Sequence, residues 1–110
     1  MINIEIVLDN DLLKYCKIKG HAYAGGKGKD IVCAAVSVLA RTALDVLAGQ
    51  DGISLHCEAK NPGEFFLEIV GYAETERAFL SGVGTFLMVG FDAITREYPK
   101  YCWLSVNTNV

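Results

Sequence analysis

Two side chains in this sequence have the chemistry of a nucleophile and its base. Cys33 stands in Asp30-Ile31-Val32-Cys33-Ala34-Ala35-Val36-Ser37, and His21 stands twelve residues before it in Gly20-His21-Ala22. A cysteine attacks as its thiolate. An imidazole that titrates near neutrality takes the thiol proton and can pass one to a leaving amine. Asp30 has the side chain of a helix N-cap, and nothing after it breaks a helix until Gly49, so the pattern predicts a helix from about Ile31 to Ala48. In that frame Ile31, Val32 and Cys33 are the first three helical positions, whose N–H groups have no intrahelical partner. The helix dipole then favours thiolate at Cys33, and the unpaired N–H groups can receive an oxyanion.

The supporting residues follow from the same frame. Gly20 closes a strand and gives His21 a rigid base, and Gly25, Gly26 and Gly28 make the intervening loop pliable. Ser37 lies one turn beyond Cys33 on the same helix side, placed for a supporting hydrogen bond. Asp30 caps the helix and orients the loop, and through it His21.

Other chemistries fit less well. A cysteine on an apolar helix face is often an inert core residue. A Walker phosphate loop fails because Gly26-Lys27 is followed by Gly28, and the residue five before Gly26 is His21. A cysteine phosphatase needs an arginine six residues after the nucleophile, where Leu39 stands; Arg41 arrives two later. A dithiol redox site needs a second cysteine at position 36, which is Val36. Cys16, Cys33, Cys57 and Cys102 are scattered without a C-x-x-C pair, so no metal site and no cofactor are expected. His56 reads as a solvent-side strand residue.

The elements that must position these groups are legible in the periodicity. Ile2, Ile4, Ile6 and Leu8 alternate as a half-buried strand, Asp9-Asn10-Asp11 is a turn, and Leu12 to Lys19 is the second arm of a hairpin. After the first helix, Ile53, Leu55, Cys57 and Ala59 alternate as a third strand. Asn61-Pro62-Gly63 turns the chain, and Phe65, Leu67 and Ile69 mark a fourth strand. A second helix is expected from about Thr75, as its N-cap, to Glu97, with Phe79, Val83, Phe86, Leu87, Phe91 and Ile94 at helical spacing. Tyr72, Phe79, Phe86 and Phe91 read as core. Gly82, Gly84 and Gly90 inside that helix imply close approach of the first helix, or else a subunit contact. Pro99 ends it, and Tyr101 to Val106 reads as a short last strand. The order is ββαββα with a C-terminal strand: an α+β two-layer sandwich, a mostly antiparallel sheet with both helices on one face.

Size and charge narrow the function. The 110 residues predict one domain spanning 1–110, and 52% apolar with 21% charged is a globular composition. A net charge of −3 gives no reason to expect direct nucleic-acid binding. No secretory signal is visible, and no apolar run is expected to reach the roughly 18 residues that span a bilayer, so a cytoplasmic protein with reduced thiols and no membrane contact is expected.

The Gly20-His21-Ala22 motif and the stretch from Asp30 to Ser37, at their mutual spacing, resemble the ribosomal-processing cysteine protease (Prp) family, and Glu97-Tyr98-Pro99-Lys100-Tyr101 resembles that family's usual close. The resemblance covers the whole chain. It implies His21 as base and Cys33 as nucleophile, with Asp30 and Ser37 at further family positions. It also implies a cytosolic, homodimeric endopeptidase with a flexible loop between the dyad residues. Its expected substrate is the precursor of the large-subunit ribosomal protein numbered twenty-seven, cut after a phenylalanine to remove an N-terminal extension during ribosome maturation. One departure stands out: the family's His-Ala-Gly-Tyr-Ala is here His21-Ala22-Tyr23-Ala24-Gly25-Gly26. The alternative readings are a non-catalytic ribosome-associated binding module with a structural cysteine, and a redox-sensing thiol protein.

Overall fold

The structure, a computed structural model, describes residues 1–20, 27–59, 61 and 63–109, with 27–30 and 109 as backbone. Its elements run β1 (Ile2–Asp9), β2 (Leu12–Lys19), α1 (Lys27–Ala48), β3 (Ile53–Glu58), β4 (Glu64–Tyr72), a 3₁₀ turn (Glu74–Glu76), α2 (Arg77–Glu97) and β5 (Cys102–Asn109). This is the expected ββαββα order with a closing strand. Asn10 and Asp11 both adopt positive φ (53° and 63°), as a two-residue hairpin turn of the primed type requires, and they join β1 to β2.

The five strands form one sheet in the order β3-β4-β2-β1-β5, antiparallel except for β1 against β5. Register puts the alternating apolar residues on one face. Ile4 is opposite Ile18, Ile6 opposite Cys16, Cys16 opposite Leu67, and Ile2 opposite Cys102, all of them buried. Against that face α1 presents Val32, Val36, Ala40, Ala43 and Leu47, spaced by three and four residues, and α2 presents Leu80, Gly84, Leu87 and Phe91. The other sheet face carries Glu5, Lys17, Glu68 and His56.

Several expected details are corrected. α1 begins at Lys27, not Ile31, so Asp30 lies inside the helix and is not its N-cap. A glycine such as Gly28 costs little in a first turn, and an acidic residue there complements the dipole without capping. Thr75 does not cap α2: it lies within the 3₁₀ turn, where the Glu76 N–H donates to the Ala73 carbonyl (2.8 Å), and no side chain caps the helix that follows. Tyr72, Phe79 and Phe86 are exposed, whereas Phe91 is core. Aromatics at positions 79 and 86 continue a helical period, but one rotated away from the stripe that meets the sheet.

β5 is longer than expected because its backbone pairs with the whole of β1. An apolar run of membrane-spanning length also exists. Ile31–Ala48 and Glu74–Glu97 are both long and apolar enough to cross a membrane by length and composition, a property shared with core helices that pack on a sheet.

The three α2 glycines divide by environment. A Cβ at Gly90 would meet Leu39 Cδ1 at 2.8 Å, and one at Gly84 would meet Leu13 Cβ at 3.4 Å, so these two admit α1 and β2. Gly82 has nothing within 4 Å.

Candidate active site

Cys33 stands on the second turn of α1, half-buried, and opens into a cleft of about 530 Å³ between that helix and the ends of β2 and β4. Ser37 and Arg41 follow it at intervals of four residues. The three side chains thus form one row along the helix wall, with Val36 and Ala40 beneath. The facing wall is Ile18, Gly20, Phe65 and the turn that leads into β4. In that turn the Asn61 Nδ2 donates to Glu64 Oε2 (3.2 Å) and the Glu64 N–H to the Asn61 carbonyl (3.1 Å). The cleft is therefore apolar at its base and lined above by a thiol, a hydroxyl, a guanidinium and a carboxylate.

Gly20 is fixed by its surroundings. Its φ is +110°, a Cβ would overlap the Met1 carbonyl oxygen, and its N–H donates to the Gly63 carbonyl at 3.0 Å. Only glycine fits, and the hydrogen bond ties the end of β2 to the β3–β4 turn at the cleft rim. The chain leaves the sheet from this anchored point toward His21. His21 itself lies outside the described residues, as does the loop through Gly26, and the side chain of Asp30 is likewise undescribed.

Two expectations about Cys33 change. With α1 starting at Lys27, the helical N–H groups lacking intrahelical partners belong to positions 27–29, and the Cys33 N–H points to the carbonyl four residues back. The Cys33 amide is thus spent within the helix and is not the oxyanion donor. Ser37 shares the cleft as expected, but its hydroxyl makes no hydrogen bond among the described residues.

The remaining cysteines sit in unfavourable places for a thiolate. All four cysteines are thiols. Burial pushes Cys16 up to about 12, and burial also raises Cys102. Desolvation, then the Glu58 charge, raises Cys57 at the β3 edge. His56 lies on the outer sheet face, as its alternation implied. Its Nε2 is 3.2 Å from Glu58 Oε1 and its ring meets the edge of Phe66. Among the described residues no group of three or more His, Cys, Asp or Glu is arranged to hold a metal ion.

Arg41, Asn61, Glu64 and Phe65 were not singled out as site residues from sequence. The row Cys33, Ser37, Arg41 was readable from helical spacing alone. The facing residues depend on how β4 pairs with β2, which no local pattern specifies.

The fold and the cleft-facing thiol define an α+β protein with a cysteine-centred site. The model of the cysteine protease Prp family matches residues 1–103, and the chain belongs to that family. The fold is similar to that of the essential ribosomal processing protease Prp from S. aureus. Its complex with a covalently linked product peptide superposes with TM-score 0.79 at 22% identity, covering 96% of this chain and 99% of that one. The complex with a substrate peptide gives 0.80 at 20% identity with the same coverage. SMU.848 from Streptococcus mutans gives 0.80 at 23% identity, covering 99% of this chain and 96% of that one. No curated protein matches the chain.

Proposed function

We propose that this cysteine protease is an endopeptidase that removes the N-terminal extension of the large-subunit ribosomal protein numbered twenty-seven, with Cys33 as nucleophile and His21 as general base. The observation that carries this reading is the position of Cys33: within the described residues, it is the thiol that opens into the cleft, on a chain of the Prp family. The ribosomal processing named for the S. aureus relative supports the choice of substrate.

In the reaction, the His21 imidazole takes the thiol proton and the Cys33 sulfur attacks the scissile carbonyl. The imidazolium returns a proton to the departing amine, leaving an acyl thioester on Cys33. Water, deprotonated by the same imidazole, then releases the acyl half and restores the thiol. The apolar base of the cleft, with Phe65 and Val36, suits a hydrophobic segment ending in phenylalanine. The enzyme works in the cytosol, as a homodimer, without cofactor or nucleic acid.

The test is incubation of the purified protein with the extended ribosomal protein, followed by intact-mass measurement. A single cut after a phenylalanine is expected. Cys33→Ser should abolish it, and His21→Ala should slow it by about a hundredfold or more, the usual scale of lost general-base catalysis. Undiminished cleavage by the Cys33→Ser protein would rule the mechanism out.

A further inference from the structure

Arg41 lies in the cleft with a charge that no neighbour among the described residues answers. It lines the same wall as Cys33 and Ser37, two turns beyond the thiol, and its guanidinium forms no ion pair or hydrogen bond among the described residues. Among the described residues, the one carboxylate lining the cleft, Glu64, is on the opposite wall and takes its hydrogen bond from Asn61. The contrast with the two other arginines, both in α2, is informative. Arg96 holds Asp92 at 2.9 Å, and Arg77 lies 3.9 Å from Glu74 and donates to the Tyr72 hydroxyl.

The spacing of Cys33 and Arg41 along α1 suits a peptide. Eight helical residues separate Cys33 from Arg41, an axial distance of about 12 Å, which an extended chain covers in about four residues. A substrate whose scissile carbonyl sits at Cys33 and whose backbone follows α1 therefore brings its third to fifth residue from the cut beside Arg41. Guanidinium is suited to a carboxylate there, since its fork matches both oxygens.

We infer that Arg41 is a specificity-determining residue that favours substrates with an acidic side chain three to five residues from the cleaved bond. This rests on the reading of Cys33 as nucleophile in a peptide-binding cleft. Glu64 disfavours anions in the same cleft, so the sign of the preference reports which wall the substrate residue meets. An acidic preference belongs to Arg41 and a basic one to Glu64.

Binding tests this apart from catalysis. The Cys33→Ala protein is titrated, by fluorescence anisotropy, with short peptides that carry a central phenylalanine and one Glu, Gln or Lys at the third, fourth or fifth position on either side. The Glu peptide of one position should bind about threefold to tenfold more tightly than its Lys counterpart, the scale of a partly exposed ion pair, with the difference shrinking at high salt. Adding Arg41→Glu should invert that order, and Arg41→Gln should erase it. Arg41 is exposed, so both variants should keep the parent's circular dichroism. An order that survives Arg41→Glu, a preference for Lys in the Arg41 protein, or indifference to charge at every position overturns the inference. Charge-ordered binding without cleavage by the Cys33 protein leaves the inference standing and removes the protease reading instead.

Discussion

Four thiols of one chain occupy four environments, and that difference is chemical as well as steric. Cys16 is fully buried between β1 and β4, Cys102 is buried at the start of β5, and Cys57 is exposed but raised by desolvation and by Glu58. Since the thiolate is the nucleophile, a raised value suppresses alkylation at neutral pH even where the sulfur is accessible. Brief treatment of the folded protein with iodoacetamide at neutral pH, mapped by peptide mass, should therefore place most of the label on Cys33. Cys57 labelling should grow as pH rises, because its thiol ionises only above the ordinary range. Cys16 should stay unlabelled until the protein unfolds. Equal labelling of Cys33 and Cys57 at neutral pH would show Cys33 to be no more reactive than a suppressed surface thiol, as the structural-cysteine reading requires.

At the scale of elements, the site depends on a junction between strand ends more than on the helix that bears the thiol. Gly20 holds a positive φ against the Met1 carbonyl and bonds Gly63 across the cleft rim, so the β1–β2 hairpin, the β3–β4 turn and the loop toward His21 meet at one glycine. Gly20→Ala adds backbone strain of about 1–3 kcal/mol and forces Met1 aside. Thermal unfolding should shift down by several degrees, and cleavage should fall further than that loss of stability accounts for, because the loop's point of departure moves. A variant with unchanged melting and unchanged activity would show that the junction is not what aims the loop.

This junction also shows where the sequence was readable. The strands, their alternation and the turn at Asn10 were legible because period-two patterning and turn chemistry are local. The start of α1 was not: Asp30 is as suitable in a first turn as at a cap, and the glycine at position 28 read as loop. A helix starting at Ile31 would leave the Cys33 amide without an intrahelical partner and so open to an oxyanion, whereas one starting at Lys27 uses it within the helix. The cleft's far wall was equally hidden, since Phe65 and Glu64 reach it only through the pairing of β4 with β2, a contact between distant parts of the chain.

For the molecule as a whole, the layer of helices has two faces, and among the described residues the sheet covers one of them. The inner stripe of α2 packs on the sheet. Its outer stripe, Phe79, Gly82, Phe86 and Val89, follows the same helical period into solvent, with Phe86 66% and Val89 63% exposed and open space at Gly82. Such a stripe is costly on a lone chain and suits the proposed homodimer, where the helix meets its own copy across a twofold axis and a glycine admits close approach. Each side chain then counts twice. Burying one phenylalanine contributes about 1.5–3 kcal/mol, so Phe86→Lys should weaken association by two such amounts or more, at least a hundredfold in the dissociation constant. Sedimentation velocity at micromolar concentration should find the parent dimeric and Phe86→Lys monomeric, with unchanged circular dichroism because the residue supports nothing in its own core. A parent protein that sediments as a monomer would leave the outer stripe without its proposed partner. A Phe86→Lys protein that remains dimeric would move the interface elsewhere, most directly to the open sheet face around the exposed Trp103.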